Sequence, residues 1–125
     1  SDGDVLFHAI VDAILGALAL GDIGEHFPSE DNRWENANSK SFLEHTSNLM
    51  SDKGFSLGNL DATIILQQPK LISHIIEMRK NIASILHTEI DSISVKATTT
   101  DEMGFTGRGS GIAATAVVLI HSHGN

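Results

Sequence analysis

Apolar residues recur along the chain in patterns that predict alternating helices and strands. The first pattern is a helix from Asp4 to Leu20, on which apolar or small side chains cover nearly the whole circumference at about 100° per residue. Ser1 or Asp2 is placed to cap its start, and Gly21 to end it in a left-handed turn. A helix that is apolar almost all round is expected to be buried, so we expect the rest of the chain to pack around it.

Three polar residues interrupt this helix and form one narrow stripe. Asp4, His8 and Asp12 follow one another at intervals of four residues, which places them on the same side of a helix. Burying two carboxylates and an imidazole costs free energy unless something pairs with them. Two interpretations stay open: the stripe binds a metal ion or a polar ligand, or it faces solvent, where Asp4 stabilises the helix dipole.

The remaining apolar pattern predicts two further helices and three strands. The helices are Ser39–Lys53, with Ser39 placed as its cap and Gly54 as its stop, and a segment from Pro69 to about Leu86; the strands are Leu57–Gln67, Ile93–Thr99 and Gly111–Ser122, with loops over 22–38 and 100–110. Strand, helix and strand form a crossover unit, so we expect an α/β fold whose mixed or partly parallel sheet has its helices on one face. Too few strands are present to close a barrel, and the exposed sheet predicts a homo-oligomer.

Composition narrows the classes of function. The 125 residues are 41% hydrophobic, which is typical of one globular domain, and the formal charge of −8 argues against binding to nucleic acid or anionic membranes. No apolar run has the length of a membrane span. Because the chain has no Cys, any metal ligands are His, Asp or Glu.

The segment between the last two strands is the second place where chemistry is indicated. The hydroxyls of Thr98–Thr100, free backbone N–H groups, Lys96 and Arg108 together suit a phosphate or diphosphate. Asp101 or Glu102 is placed to hold a divalent cation against phosphate oxygens. The alternative is an ordinary glycine-rich connection. With no Gly-x-Ser-x-Gly elbow and no Cys, nucleophilic catalysis by the protein is disfavoured.

Histidines outside the first helix are weaker candidates. His121 and His123 share a face of the last strand. This pair is either a metal site or part of a frayed polar terminus, and we expect the frayed terminus. The other four histidines have no motif around them and are interpreted as surface or packing residues: His26, His45, His74 and His87.

Taken together, these motifs resemble the family of 2-C-methyl-D-erythritol 2,4-cyclodiphosphate synthases. The matching stretches are Ser1-Asp2-Gly3-Asp4 with His8 and Asp12, Gly21-Asp22-Ile23-Gly24, Phe27-Pro28, Leu57-Gly58-Asn59-Leu60-Asp61 leading into Gln68-Pro69-Lys70, and the run from Lys96 through Arg108. They occur in the family's order across essentially the whole chain.

The resemblance implies both a fold and a reaction. The family fold is a small α/β (α+β) unit, ferredoxin-like or chorismate-mutase-like, which assembles as a homotrimer with active sites between subunits. The family enzyme is a phosphorus–oxygen lyase of the methylerythritol phosphate route to isoprenoids. It cyclises 4-diphosphocytidyl-2-C-methyl-D-erythritol 2-phosphate and releases CMP. Because the substrate's own 2-phosphate attacks its β-phosphate, the protein's task is positioning and charge neutralisation.

Residue roles follow from the same resemblance. His8 corresponds to a zinc ligand and Thr99 to the catalytic group that stabilises the transition state. The implied substrate-binding residues are Ser1 at a phosphate; Asp22, Ile23 and Gly24 at the erythritol hydroxyls; Phe27, Pro28, Ser29, Glu30 and Asp31 in a flexible covering loop; Leu66, Gln67, Gln68, Pro69, Lys70, Leu71 and Ile72 in the neighbouring subunit's cytidine pocket; and Thr98, Thr99, Thr100, Asp101, Phe105 and Arg108 around the diphosphate and trimer axis.

The implied cofactors are two metal ions. Zinc, or another divalent transition metal, binds at His8, and magnesium or manganese binds at the diphosphate. The family usually has Glu where Asp101 stands, so either Asp101 acts through a water molecule or Glu102 takes its place. In some family members the trimer axis also accepts an isoprenoid diphosphate, which suggests feedback regulation. We expect a bacterial cytoplasmic location, with a plastid-type location as the alternative.

Two of the family's zinc ligands come from an Asp-x-His motif that precedes the position of Ser1. We therefore expect the sequence to lack an N-terminal segment and, as it stands, to hold zinc weakly. Two alternative functions follow. One is a catalytically incompetent trimer that binds nucleotides or isoprenoid phosphates. The other is a structural oligomerisation module whose Asp4, His8 and Asp12 stripe is only solvated.

Overall fold

The computed structural model describes residues 2–28, 38–66, 73–99 and 112–123. In these ranges the elements are helix α1 (Asp2–Ala17), helix α2 (Ile23–His26), helix α3 (Ser39–Asp52), strand β1 (Phe55–Ile65), helix α4 (Ile75–Ile85), strand β2 (Ile93–Thr98) and strand β3 (Ala113–Ser122), with a 3₁₀ turn at Ile90–Ser92. The predicted helices and strands are present with shifted ends. The short helix α2 lies in a segment predicted to be loop. None of the described helices is long and apolar enough to cross a bilayer.

The strands form a mixed sheet, as predicted, and their order is β2-β1-β3. β1 runs parallel to β2, with Leu60 opposite Ile93, and antiparallel to β3, with Leu60 opposite Val118. Helix α4 lies between β1 and β2 in the chain, as a parallel pair requires. The carboxyl ends of β1 and β2 therefore lie side by side at one edge of the sheet.

The helices cover one face of this sheet and form the core with it. α1 packs on β1, β3 and α3, while α4 packs on β2. The fully buried side chains of α1 include Leu6, Ile10 and Ile14, which join Leu60 and Ile64 of β1 in a single cluster. Full burial of each such side chain stabilises the folded protein by about 1.5–3 kcal/mol. The apolar side of α1 is buried as expected, whereas the Asp4, His8 and Asp12 stripe is exposed, which is compatible with both interpretations of the stripe.

The opposite face of the sheet has no helix against it in the described part of the chain. Its side chains alternate with those of the core and include Asn59 on β1, Lys96 on β2, and Val117 and Leu119 on β3. Val117 is 73% exposed and Leu119 is 64% exposed. Two large apolar side chains on adjacent same-face positions of one strand are a candidate interface.

The prediction that Gly21 ends the first helix is wrong. α1 stops at Ala17, after which Ala19 donates to the carbonyl oxygen of Gly16 (3.0 Å) and Leu20 to that of Leu15 (2.9 Å). Ala19 itself takes the left-handed conformation, with φ 57°. Glycine is preferred there because it has no Cβ, but Leu18 and Leu20 pack against the core and thereby determine where the chain turns.

Of the two predictions about the ends of helix α3, one is confirmed and one is wrong. Gly54 ends it with φ 86°, as predicted. Its cap is Asn38 rather than Ser39, because the Asn38 Oδ1 accepts the backbone N–H of Ser41 at 3.0 Å. The Ser39 hydroxyl instead donates to the Asp4 carboxylate on α1.

Helix α4 begins at Ile75 in the described residues, and the predicted start at Pro69 lies outside them.

Candidate functional site

A tight turn after α1 holds the residues that were predicted to bind erythritol hydroxyls. Asp22 is extended and caps α2, its Oδ1 accepting the backbone N–H of Glu25 at 3.0 Å. Gly21 has φ 94°, and a Cβ at this position would overlap the Glu25 carboxylate. The positive φ of the turn therefore favours glycine at position 21, since the exposed Glu25 side chain could move but the backbone conformation would strain another residue. Asp22 and Gly24 are both exposed, so the turn is open to a ligand.

Two side chains anchor this turn to its surroundings. The Asp12 Oδ1 of α1 accepts the backbone N–H of Ile23 at 2.8 Å. The His26 Nε2 lies 2.6 Å from the carbonyl oxygen of Leu20. Since a carbonyl oxygen can only accept, the His26 ring carries its proton on Nε2 in this bond. The turn is therefore held at its middle and at its end.

His8, the predicted zinc ligand, lies on the exposed stripe of α1 beside an aromatic group. Its ring centroid is 5.8 Å from that of Phe42 on α3, and Phe42 in turn lies 4.7 Å from Phe27. Phe27 also meets the edge of His45 at 5.4 Å and is 7% exposed. Phe27, predicted to lie in the loop that covers the substrate, is thus buried at the base of that loop. Phe42 contacts both predicted site residues.

A second group of predicted site residues lies where β1 and β2 end. The backbone N–H of Leu66 donates to the carbonyl oxygen of Thr98 at 3.0 Å, and Thr98 and Thr99 are exposed. Open α/β sheets bind ligands outside the carboxyl ends of parallel strands, and these residues occupy such an edge. The first residue of the predicted cytidine pocket and the predicted phosphate-binding threonines are therefore neighbours.

Many predicted site residues lie outside the described residues, and their roles stay predictions. They are Ser1, Ser29, Glu30, Asp31, Gln67, Gln68, Pro69, Lys70, Leu71, Ile72, Thr100, Asp101, Phe105 and Arg108.

Lys96 has a carboxylate partner on the exposed sheet face. Its Nζ lies 2.9 Å from the Asp61 Oδ2, and the Ser94 hydroxyl donates to the Asp61 Oδ1 at 2.9 Å. The bonds from Lys96 and then Ser94 lower the pKa of Asp61 below its usual value. The ammonium group that the sequence suggested for a phosphate is therefore engaged with Asp61 in this structure.

The described residues do not by themselves form a metal centre. No group of three His, Asp or Glu side chains suited to a metal ion occurs among residues 2–28, 38–66, 73–99 and 112–123. His8 offers one exposed imidazole, whereas a catalytic zinc site takes three protein ligands. A zinc site at His8 would therefore need further ligands from outside these ranges.

Two pockets of about 240 Å³ lie away from these residues. One is lined by Lys40, Glu44, Asn48, Ser84, Ile85 and His87, and the other by Ser47, Met50, Ser51, Phe55, Ser56, Leu86, His87 and His123. Neither contains a site residue implied by the family resemblance, although His123, a weaker metal candidate, lines the second. The backbone N–H of His123 donates to the carbonyl oxygen of Gly54 at 2.8 Å, and the His121 Nε2 lies 3.5 Å from the Ser56 hydroxyl. The predicted fraying therefore does not extend to the backbone of His123.

Two residues beside the site were not assigned to it from the sequence. Asp12 was recognised only as part of the polar stripe, and Phe42 only as part of an apolar helix face. Asp12 had one sequence signal, since its spacing from His8 places both on the same side of α1. Phe42 had none, because only the packing of α3 on α1 brings its ring to His8.

Comparison with known proteins shows the family to which the chain is related. The model of the YgbB family matches residues 1–121. A protein of Xanthomonas oryzae named 2-C-methyl-D-erythritol 2,4-cyclodiphosphate synthase is 55% identical over 120 residues, which are 96% of this chain and 74% of that protein. A protein of the same name from Geobacter sulfurreducens is 61% identical over 96% of this chain and 76% of its own length.

Solved structures show the same fold. The bifunctional IspDF of Campylobacter jejuni matches with a TM-score of 0.90 and 44% identity over 98% of this chain and 33% of that chain. The CDP complex of Plasmodium falciparum IspF matches with a TM-score of 0.84 and 36% identity over 98% of this chain and 73% of that chain. From the family model that matches residues 1–121 and from its close relatives in sequence and fold, the chain belongs to the YgbB family.

Proposed function

We propose that the protein is a phosphorus–oxygen lyase that converts 4-diphosphocytidyl-2-C-methyl-D-erythritol 2-phosphate into 2-C-methyl-D-erythritol 2,4-cyclodiphosphate and CMP. The observation that carries this proposal is the identity of 55–61% to synthases of that name over 96% of the chain. That span includes both groups of candidate site residues, the turn after α1 and the ends of β1 and β2.

The reaction is an intramolecular displacement at phosphorus. An oxygen of the 2-phosphate forms a bond to the β-phosphorus, and the bond from that phosphorus to the bridging oxygen of CMP breaks. CMP leaves with the electron pair. The nucleophile belongs to the substrate, which accords with a chain that has no Cys and no nucleophile elbow.

The protein's own residues position the substrate and stabilise developing charge. The Asp22 carboxylate and the backbone of Ile23 and Gly24 hold the erythritol hydroxyls, fixing the 2-phosphate relative to the diphosphate. Thr98 and Thr99 donate to phosphate oxygens. Hydroxyl donors fixed where charge increases in the transition state lower the barrier, and fixing the two reacting groups removes much of the entropic cost.

Metal ions complete the proposed chemistry. His8 contributes one ligand to a zinc or similar transition-metal ion, and Asp101 or Glu102 holds magnesium or manganese at the diphosphate. Such ions neutralise phosphate charge and polarise phosphorus–oxygen bonds. The exposed His8 imidazole on the polar stripe of α1 supports the first assignment.

We also propose a homotrimer with its active sites between subunits. In this arrangement residues 66–72 of one subunit bind the cytidine of a substrate held by the turn of its neighbour. Two related synthase structures, one of them the Plasmodium falciparum IspF, are complexes with CDP, which supports a cytidyl ligand for this chain. The exposed Val117 and Leu119 supply an apolar surface for assembly.

The test of the proposed function is CMP release from the cytidyl substrate with zinc and magnesium supplied. We expect the His8→Ala variant to lose about 100-fold or more of kcat/KM, because it loses a metal ligand. The matched control is His123→Ala, which replaces an exposed histidine just after β3 and leaves the rate unchanged.

Two results would contradict the proposal. The first is equal CMP release by the His8→Ala and His123→Ala proteins. The second is a wild-type protein that binds CDP in calorimetry but releases no CMP and forms no cyclic diphosphate. That second result would instead identify a nucleotide-binding module.

A further inference from the structure

The turn that holds Asp22 and Gly24 has little support of its own. α2 contains only four residues, Ile23–His26, and an isolated helix of this length is not stable in water. Asp22 and Gly24 are exposed, so burial does not fix them. Contacts with the rest of the protein must therefore hold this turn.

One of these contacts is made by a side chain to which the proposed function gives no role. The Asp12 Oδ1 accepts the Ile23 backbone N–H at 2.8 Å, across eleven positions in the chain. Ile23 is the first residue of α2, and its N–H has no partner within that helix. A hydrogen bond to a carboxylate is about twice as strong as one between neutral groups.

The two carboxylates at this turn have different tasks. Asp22 closes the turn locally through the Glu25 N–H, whereas Asp12 connects the turn to the rigid, buried helix α1. Neighbouring Val11 of α1 is fully buried, so the backbone that carries Asp12 is fixed by the core. Asp12 thus adds a direct hydrogen bond from α1 to the packing of the Ile23 side chain on the core.

We propose that Asp12 is a positioning residue whose carboxylate holds the Asp22–Gly24 turn where it receives the erythritol hydroxyls, an inference that rests on the proposed function. Without this bond the turn keeps its local cap, the His26 bond to the Leu20 carbonyl and the packing of Ile23, but it loses its hydrogen bond to α1. A displacement of about 1 Å in a group that positions substrate is enough to lower the rate substantially.

The test compares two substitutions at this position. Asp12→Ala removes the acceptor, and we expect kcat/KM for CMP release to fall about 10- to 100-fold. Asp12→Asn keeps an acceptor oxygen of the same reach, and we expect it to retain most of the wild-type kcat/KM. Asp52→Ala, which removes an exposed carboxylate in the last turn of α3, is the matched control and leaves the rate unchanged.

A second readout does not depend on activity. Hydrogen exchange at the Ile23 amide is expected to accelerate at least about tenfold in Asp12→Ala and to change little in Asp12→Asn, since only the former frees this N–H. A wild-type protein without CMP release would overturn the proposed function, while faster exchange in Asp12→Ala would still support the positioning role.

Three results overturn the inference. Unchanged exchange at Ile23 in Asp12→Ala would show that the bond does not hold the turn. Activity of Asp12→Ala within twofold of wild type would show that the turn needs no anchor. Equal losses in Asp12→Ala and Asp12→Asn would show that the Asp12 charge acts on the substrate directly.

Discussion

At the scale of single residues, two helix ends adopt a conformation that their side chains disfavour. Ala19 after α1 has φ 57° and His87 after α4 has φ 56°. In both cases the backbone N–H of the next residue donates to the carbonyl oxygen five residues earlier. Leu20 donates to Leu15, and Thr88 donates to Ala83. The left-handed conformation costs a residue with a Cβ about 1–2 kcal/mol, so the packing that follows each turn must offset this cost.

The first prediction at this scale is that Ala19→Gly stabilises the fold. Relief of the left-handed strain exceeds the extra flexibility of glycine in the unfolded chain, and we expect the free energy of unfolding to rise by about 0.5–1 kcal/mol. Urea denaturation at a fixed protein concentration measures the change. The control is Ala17→Gly within α1, which should lower the free energy of unfolding by about 1 kcal/mol. Destabilisation by both substitutions would contradict the argument from strain.

At the scale of elements, one arginine connects the crossover helix to the start of the strand that follows it. The Arg79 Nε donates to the carbonyl oxygen of Ile93 at 2.6 Å, and its Nη2 to that of Ile90 at 3.1 Å. These carbonyls belong to the 3₁₀ turn and the beginning of β2. Arg79 thereby sets where β2 begins, at the opposite end of that strand from Thr98 and the candidate site edge.

We therefore predict that Arg79→Met destabilises the protein by about 1–3 kcal/mol, because two half-buried carbonyl groups lose a charged donor. Thermal or chemical unfolding measures the change. Lys80→Met on the same helix is the matched control, since Lys80 is exposed and its removal should change stability by less than about 0.5 kcal/mol. Equal effects of the two substitutions would exclude a specific role for the Arg79 bonds.

At the scale of the whole molecule, the sheet has one covered and one open face in the described residues. The covered face holds the core, and the open face carries Val117 and Leu119 together with the Asp61–Lys96 pair. Exposed apolar side chains of this size cost solvation free energy unless another surface covers them. In the proposed homotrimer, a further copy of the chain covers this open face.

The corresponding prediction concerns the mass of the particle in solution. Wild-type protein should sediment with the mass of three chains, and the double substitution Val117→Asp, Leu119→Asp should shift it to one chain, because charges cannot be buried there without partners. Ile76→Asp is the control, since Ile76 is 52% exposed on α4, on the other side of the sheet. A three-chain mass for the double variant would show that this face does not form the interface.

The sequence by itself determined which segments form elements and which face of each is apolar. In the sequence of β1, Leu60, Ala62 and Ile64 alternate with polar residues, and in the structure these three side chains are buried in the core. Such features depend on local steric and hydrophobic effects, which act between residues close together in the chain. The order of motifs was also enough to indicate the family.

Only the tertiary structure decided how the elements end and what the polar residues touch. The sequence favoured Gly21 and Ser39 as helix ends, yet Ala19 and Asn38 take these roles. Asp12 meets the Ile23 N–H across eleven positions, and Phe42 meets His8 across two helices. Such contacts depend on how the core packs, because small differences in packing free energy outweigh local propensity, and no pattern of neighbouring residues encodes them.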